Sequence, residues 1–192
     1  MTVDTSEWSL VGLVRRQAAA LGEKEFMSFE HGTALAYASL DRDSDDLARK
    51  LAGLGVGPGD RVMVMLKNRI EFMLAMIGIM KIGALFVPIN TELKGAFLQH
   101  QMRNAEPKAI FLDHGLRDAF DVVKGGSDNL AATIYVAGDV PEQRPEVLAG
   151  APAMAYEAFM ALDGAGDDVL VDAQPHDIAC IMYTSGTTGP SK

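Results

Sequence analysis

Ile178-Ala-Cys-Ile-Met-Tyr183-Thr184-Ser-Gly-Thr-Thr-Gly-Pro-Ser-Lys192 is the stretch of sequence that decides the fold class and the chemistry. Its apolar first half, Ile178 to Tyr183, is typical of a strand, and its second half is a run of hydroxyls and glycines that ends in a cation. Gly186 and Gly189 carry no Cβ, so the backbone can turn sharply there and bring its N–H groups close to an anion. The composition therefore predicts a phosphate-binding loop that follows a strand.

Side chains of the same loop add to this prediction. Lys192 supplies a compact positive charge. The loop also has short hydroxyl donors that need little ordering to reach phosphate oxygens, namely Thr184, Ser185, Thr187 and Thr188. The alternative is a solvated Gly/Thr/Ser turn, but the strand, the glycines, the hydroxyls and the lysine occur together, which favours phosphate binding. A Walker loop is a different object, because it needs Lys directly after Gly, and Pro190-Ser191 separate the two here.

The stretch from Tyr183 to Lys192 resembles the phosphate-loop signature of the AMP-forming adenylating enzymes, which include acyl-CoA synthetases, luciferases and the adenylation domains of peptide synthetases. Gly55-Val-Gly-Pro-Gly-Asp-Arg-Val62 and Gly83-Ala-Leu-Phe-Val-Pro-Ile-Asn90 are also similar to that family, so the resemblance extends over residues 25 to 192. One departure is Leu35-Ala36-Tyr37, where the family commonly has Leu-Thr-Tyr.

The resemblance implies an enzyme that activates a carboxylic acid with ATP and Mg²⁺ to an acyl-adenylate and pyrophosphate, and then transfers the acyl group to CoA. It implies that Thr184 lies near Mg²⁺ and that Lys192 takes part in catalysis, since the loop would offset charge that builds on the leaving pyrophosphate. The residues that would hold the β- and γ-phosphates are Thr184, Ser185, Gly186, Thr187, Thr188, Gly189 and Lys192.

In that family the contacts to adenine, ribose, acyl group and CoA come from motifs beyond the position of Lys192. We therefore expect residues 1–192 to be the N-terminal portion of an AMP-binding domain, without the rest of that domain and its C-terminal lid domain, and to be inactive alone. The alternatives are a stand-alone module that binds a nucleotide or a partner chain, and a portion of a luciferase or peptide-synthetase adenylation domain. Residues 87–95 resemble the carnitine/crotonobetaine or fatty-acid type of acyl-CoA ligase more closely. The acid and the oligomeric state stay open, with a homodimer possible.

Composition excludes other classes of protein. A net charge of -9 and a pI near 4.8 argue against binding to nucleic acid or to anionic membranes. The apolar stretch 72–89 is interrupted by Lys81, Gly83 and Pro88, which argues against a membrane span. The N-terminus has no pattern of a signal peptide. A single cysteine, Cys180, fits a reducing cytoplasm, and its apolar surroundings in the sequence predict a small buried side chain.

Strand and helix signals alternate along the chain, which predicts a doubly wound α/β fold with a mostly parallel sheet and flanking helices. We expect a hairpin from residues 25–30 and 34–37, and connections at 138–152 and 163–175. The expected helices cover 9–21, 41–54, 69–82, 91–104, 116–123 and 155–162, and the expected sheet strands cover 61–66, 84–89, 108–112, 133–137 and 178–183. Ligands of such sheets bind beyond the carboxyl ends of the strands, where the loop at Thr184 would begin.

No other group of residues predicts a site. Asp43, Asp45 and Asp46 are read as the start of a helix rather than a cation site. Arg61 and Lys67 are read as surface charges. The histidines have no metal-binding spacing, and they are His31, His100, His114 and His176. The methionines expected in the core are Met73, Met76 and Met80.

Overall fold

The computed structural model describes residues 8–29, 34–121, 129–136, 147–148 and 151–184. The helices are α1 (Leu10–Leu21), α2 (Tyr37–Gly53), α3 (Ile70–Lys81), α4 (Gly95–Ala105), α5 (Arg117–Asp121) and α6 (Tyr156–Met160). The strands are β1 (Glu25–Ser28), β2 (Ala34–Ala36), β3 (Arg61–Met65), β4 (Leu85–Pro88), β5 (Ala109–Asp113), β6 (Ala132–Val136), β7 (Val147–Leu148) and β8 (Ala151–Ala155).

The main sheet has six strands in the order β4-β3-β5-β6-β8-β7, and every pairing is parallel except the one between β7 and β8. The chain moves from β3 outward to β4 and then returns to the other side of β3 to form β5. The order of the strands therefore reverses between β3 and β5. The predicted doubly wound α/β fold is confirmed, and β1 and β2 form the expected antiparallel hairpin.

Helices cover both faces of this sheet, and β3 shows the consequence. Val62 and Val64 belong to a core that includes residues of α1, α2, α3 and α6. Met63 and Met65 belong to a second core, on the face covered by α4 and α5. Since both faces are buried, a continuous apolar run is the pattern that a strand in this position requires. The methionines expected in the core do pack there: Met73, Met76 and Met80 lie in or against the first core.

A buried ion cluster joins α2 to α3. The Lys81 side chain is fully buried, and its Nζ lies 2.6 Å from Asp41 Oδ1 and 2.6 Å from Asp45 Oδ1. Nζ also donates to the carbonyl of Asp41 at 2.7 Å. The two acids stand four residues apart on one face of α2, where they meet the buried cation. The prediction that the acids from Asp41 onward begin the helix is therefore wrong: α2 begins at Tyr37, directly after β2.

Two further element boundaries differ from the prediction. Helix α4 begins at Gly95 rather than at Thr91, because a turn precedes it. In this turn, the Asn90 side-chain oxygen accepts the backbone N–H of Glu92, and the Asn90 carbonyl accepts the backbone N–H of Leu93. Residues 138–152, expected to be a connection, contribute β7 and the start of β8. Small residues and a proline give no strand signal there, and β8 is a strand through its pairing with β6 on one side and with β7 on the other.

Arg61 was read as a surface charge, yet it is half-buried at the start of β3. Its Nε donates to the carbonyl of Ala105 at 2.6 Å, and its Nη2 donates to the carbonyl of Glu106 at 3.0 Å. A cation at the end of a helix meets the carbonyls that no further turn can bind. Arg61 therefore fixes the end of α4 to the sheet. In the part of the chain that the structure describes, no helix is long and apolar enough to cross a bilayer.

Candidate functional site

The apolar half of the C-terminal stretch lies along the outer edge of β4. The backbone N–H of Phe86 donates to the carbonyl of Ala179 at 3.1 Å, and the N–H of Ile181 donates to the carbonyl of Phe86 at 2.9 Å. The resulting bridge between Phe86 and Cys180 is parallel. Residues 178–183 thus extend beside β4 as expected of a strand. Among the described residues, their pairing with the sheet consists of this one bridge.

The parallel direction of this bridge places the start of the loop. Phe86 stands two residues before the end of β4, and Thr184 stands four residues after Cys180. The chain therefore passes Thr184 in the direction in which the carboxyl ends of the parallel strands point. Ligands of open α/β sheets bind on that side. Thr184 itself is exposed.

The two faces of this edge segment have different surroundings. Ile181 and Tyr183 pack against the second core, which contains Leu98 and Met102 of α4. The alternate residues face outward: Ile178 is 68% exposed and Met182 is 65% exposed. Cys180, on the same outer face, is also exposed, so the prediction of a buried cysteine is wrong. Its sequence neighbours are apolar, but no described element covers that face.

The Tyr183 side chain ties the start of the loop to α4. Its hydroxyl donates to Asn104 Oδ1 at 2.8 Å and lies 3.4 Å from the carbonyl oxygen of Gln101. Burial raises the pKa of Tyr183 above its ordinary value of 10.0, so the hydroxyl keeps its proton at physiological pH and remains a donor. The residue before the hydroxyl-rich loop is thereby attached to a helix that lies far from it in sequence.

The structure reaches one of the predicted phosphate ligands. Thr184 has a hydroxyl oxygen, the hard, neutral donor type that suits Mg²⁺, and its exposed position leaves it accessible. The other predicted ligands lie outside the described residues: Ser185, Gly186, Thr187, Thr188, Gly189 and Lys192. Within the described ranges, no cluster of His, Cys, Asp and Glu could hold a metal ion. His31 also lies outside those ranges.

A second polar cluster, which sequence reasoning missed, joins the carboxyl ends of three strands. Arg69, just after β3, donates from Nη1 to Asp113 Oδ2 and to the carbonyl of Val136, both at 3.3 Å. Its Nε donates to Glu71 Oε2 at 3.0 Å. We call Arg69, Glu71 and Asp113 the strand-end cluster. This cluster lies where the strand order reverses. The sequence signal that could have predicted it is the presence of charged residues after β3 and at the end of β5.

The strand-end cluster is a poor site for phosphate. It holds one cation and two carboxylates, and it borders a cavity of 380 Å³ that is also lined by Asn68 and Tyr156. The pKa of Tyr156 is raised, first by burial and then by nearby carboxylates, with Glu71 and Asp43 the strongest of them. This local excess of negative charge opposes a polyphosphate. The predicted loop beyond Tyr183 remains the better candidate.

A cavity of 590 Å³ lies on the other side of the molecule from Thr184, at the amino ends of the strands. It is lined mainly by apolar side chains near the amino ends of β3 and β4, among them Trp8, Pro58, Leu85 and Ile178. Few donors or charges point to a nucleotide there, and it lies away from the carboxyl ends of the strands. The predicted loop after Tyr183 therefore remains the candidate site for nucleotide chemistry.

Comparison with known proteins decides the family. The model of the AMP-binding enzyme family matches residues 14–192. The chain belongs to this family. A long-chain-fatty-acid–CoA ligase of Mycobacterium tuberculosis is 28% identical over 184 residues, which cover 95% of the chain and 34% of that ligase. An L-proline–[L-prolyl-carrier protein] ligase of Streptomyces coelicolor is 25% identical over 165 residues, which cover 86% of the chain and 30% of that ligase.

Solved structures support the same fold for this member of the AMP-binding family. The anthranilate CoA ligase AuaEII, solved in complex with anthranoyl-AMP, superposes with a TM-score of 0.78 at 19% identity. The match covers 94% of the chain and 33% of the AuaEII chain. The predicted family and fold are therefore confirmed. The chain spans about a third of the length of the two ligases above, at 34% and 30%.

Proposed function

We propose that the full-length protein is an ATP-dependent acid:CoA ligase, which activates a carboxylic acid as its acyl-adenylate and then transfers the acyl group to CoA. The observation that carries the proposal is the parallel bridge between Phe86 and Cys180, because a segment paired in this way reaches Thr184, the first hydroxyl of the signature, while it runs toward the carboxyl ends of the strands. The motif depends on residue types, and the direction of the segment depends on backbone pairing, so the two observations are independent. Their agreement supports a nucleotide site at this edge.

In this proposal the loop acts by position and by charge. The backbone N–H groups around Gly186 and Gly189, together with the neighbouring hydroxyls, hold the β- and γ-phosphates of ATP. Lys192 offsets the charge that builds on pyrophosphate as the carboxylate attacks the α-phosphorus. Thr184 would be a residue that helps to hold Mg²⁺, and the ion would supply further charge neutralisation. Hydrogen bonds to charged oxygens contribute about 1.5 to 3 kcal/mol each, so several together hold a polyphosphate.

The acyl acceptor distinguishes two versions of the proposal. The mycobacterial relative is named for CoA, and the Streptomyces relative is named for a carrier protein. We favour CoA and a fatty acid, since the alignment with the mycobacterial ligase covers 95% of the chain, compared with 86% for the other. A carrier-protein acceptor would make the protein an adenylation enzyme of peptide synthesis.

We further propose that residues 1–192 are the N-terminal portion of the AMP-binding domain and are inactive alone. The outward apolar face of the edge segment, with Ile178 and Met182 exposed, supports this proposal, because a large exposed apolar surface marks a contact with further protein. The rest of the AMP-binding domain would cover it, and a C-terminal lid domain would complete the site. A cytoplasmic location, where ATP and CoA are available, is part of the same proposal.

Carboxylate-dependent exchange of pyrophosphate into ATP tests the function. The full-length protein should catalyse exchange with a fatty acid, and the 192-residue chain should not. Gly186→Val in the full-length protein should abolish exchange, because a β-branched side chain would stand where N–H groups must approach phosphate. Gly57→Val is the matched control, since a Cβ at Gly57 meets open space. Absence of exchange with any carboxylic acid would refute the proposal.

A second candidate function is a stand-alone module that binds a nucleotide or a partner chain. The apolar cavity at the amino ends of β3 and β4, rimmed by Trp8 at 65% exposure, favours the version of this candidate that binds a partner chain. Saturable binding of ATP by the 192-residue chain, lost in Gly186→Val and retained in Gly57→Val, would support this candidate. Aggregation of the isolated chain through its uncovered sheet edge would instead support the portion of a larger enzyme.

A further inference from the structure

The segment that leads into the loop is held to the sheet at few points. Its last described backbone hydrogen bond runs from the N–H of Ile181 to the carbonyl of Phe86, at 2.9 Å. After Ile181, the long-range hydrogen bonds of the described residues are those of the Tyr183 hydroxyl. The residue that precedes the loop is therefore attached through a side chain and not through the sheet.

The helix that receives this hydroxyl is well supported. Leu98 and Met102 of α4 are fully buried in the second core. The end of α4 is bound by Arg61, whose Nε donates to the carbonyl of Ala105 at 2.6 Å. Asn104, next to Ala105, accepts the Tyr183 hydroxyl at 2.8 Å. A bond to a helix held at its core face and at its end fixes a position better than a bond to a loop would.

Such a fixed point matters for a loop of this composition. Glycine leaves the backbone many conformations, so a loop rich in glycine does not by itself set where its N–H groups point. Donors aimed at phosphate lose effectiveness when they move by as little as 1 Å. An attachment at Tyr183 restricts the position from which such a loop starts.

We propose that Tyr183 is a positioning residue for the phosphate loop and acts through its hydrogen bond to Asn104 of α4. The inference rests on the proposed function and extends it, since the Tyr183 hydroxyl is bound to α4 and would act on the loop through the backbone. Packing of the ring in the second core and the hydrogen bond of the hydroxyl are separable contributions. Tyr183→Phe keeps the first and removes the second.

Kinetics of the full-length protein test the proposal. In the ATP–pyrophosphate exchange assay, Tyr183→Phe and Asn104→Ala should each lower kcat/KM for ATP by about five- to tenfold, the size expected for one lost hydrogen bond. The KM for the carboxylic acid and the Tm should stay unchanged. The double variant should be no worse than either single variant, because both remove the same bond. Asn104→Asp keeps an acceptor and should recover most of the activity.

Tyr156→Phe is the matched control, because it removes another partly buried tyrosine hydroxyl, one beside the strand-end cluster and not beside the loop. It should leave kcat/KM for ATP unchanged. Effects of Tyr183→Phe and Asn104→Ala that multiply in the double variant, or a fall in Tm that accounts for the loss, would overturn the proposal.

Hydrogen–deuterium exchange of the 192-residue chain separates this proposal from the proposed function. In Tyr183→Phe, amides from Thr184 to Gly189 should exchange faster than in the wild type, while those of β3 and β5 should not change. Equal exchange at the loop amides in the two proteins would overturn the positioning role even for an active enzyme. Faster hydrogen–deuterium exchange at the loop amides of Tyr183→Phe, combined with no ATP–pyrophosphate exchange activity in the full-length protein, would uphold the positioning role and refute the ligase.

Discussion

Two apolar runs of the chain, residues 61–66 and 178–183, read alike in the sequence and differ in the structure. In the first run, Met63, Val64 and Met65 are fully buried, with strands on both sides and helices on both faces. In the second run, Ile181 and Tyr183 pack inward, and Ile178 and Met182 face outward at 68% and 65% exposure. Apolar composition makes burial favourable, but the neighbouring elements decide whether burial occurs.

The difference lies in the neighbours that each run has among the described residues. Strand β3 has a parallel strand on each side and helices on both faces. The edge segment has a partner strand on one side and a helix on one face. We therefore expect substitutions in the first run to change the stability of the chain, and substitutions on the outer face of the second run to leave it almost unchanged.

Truncation of one methionine in each run gives the largest expected contrast. Met63→Ala should lower the free energy of unfolding by about 3 kcal/mol, because it leaves a cavity in a closed core. Met182→Ala, at a side chain that is 65% exposed, should change it by less than about 0.5 kcal/mol. Urea unfolding of the 192-residue chain measures both. Equal losses would show that the outer face of the edge segment is covered in solution.

The ion cluster between α2 and α3 should give the next largest effect. Lys81→Ala removes a fully buried cation and leaves Asp41 and Asp45, each about a quarter exposed at 25%, without their partner. Loss of one member of a buried pair costs about 3 to 5 kcal/mol, and partial exposure of the acids reduces the expected loss here to about 2 kcal/mol.

The matched control for the ion cluster is the exposed pair of Arg42 and Asp43 on the same helix, with side chains 67% and 37% exposed. Arg42→Ala should cost between about 0 and 1 kcal/mol in the same unfolding experiment. If Arg42→Ala lowers the free energy of unfolding as much as Lys81→Ala does, burial of Lys81 does not explain the effect of its pairing.

Close packing of α2 on α3 gives a third, smaller effect. A Cβ at Gly78 would stand 2.7 Å from Leu47 Cδ2 and 2.9 Å from the carbonyl oxygen of Ser44, which is backbone and cannot move aside easily. Gly78→Ala should therefore cost about 1 to 2 kcal/mol, despite the better helix propensity of alanine. Gly57→Ala, where a Cβ meets nothing within 4 Å, is the control and should be close to neutral. Stabilisation by Gly78→Ala would mean that the helices can separate without loss.

Where the sequence predicted the structure well, the signal was local. The run Arg61 to Leu66 predicted β3, and α1 ends at Leu21 as expected. Helix α2 was placed four residues late, because acids that suit the first turn of a helix here serve a buried lysine that lies far away in sequence. Strand β8 was not predicted because its residues, Ala151–Ala155, form a strand through pairing with β6 and β7 and carry no strand signal of their own.

The candidate site divides in the same way. The chemistry of the loop could be proposed from residue types, since the missing Cβ of glycine, the hydroxyl donors and the charge of lysine are properties of the residues themselves. The strand-end cluster around Arg69 could not be inferred, because Asp113 and Val136 reach it only through the order of the strands. The bond from Tyr183 to Asn104 joins residues 79 positions apart, which no local pattern indicates.

The smallest expected effect concerns Cys180, and it tests the comparison most directly. Cys180→Ser should change the free energy of unfolding of the 192-residue chain by less than about 0.5 kcal/mol, since the thiol is exposed. The wild-type thiol should react with a maleimide in native buffer as fast as in urea. In the full-length protein, where we propose that further protein covers this face, the reaction should be strongly slowed without denaturant and restored by it. Equal reactivity in the two native proteins would show that the outer face stays open, and the proposal that the rest of the AMP-binding domain packs there would be wrong.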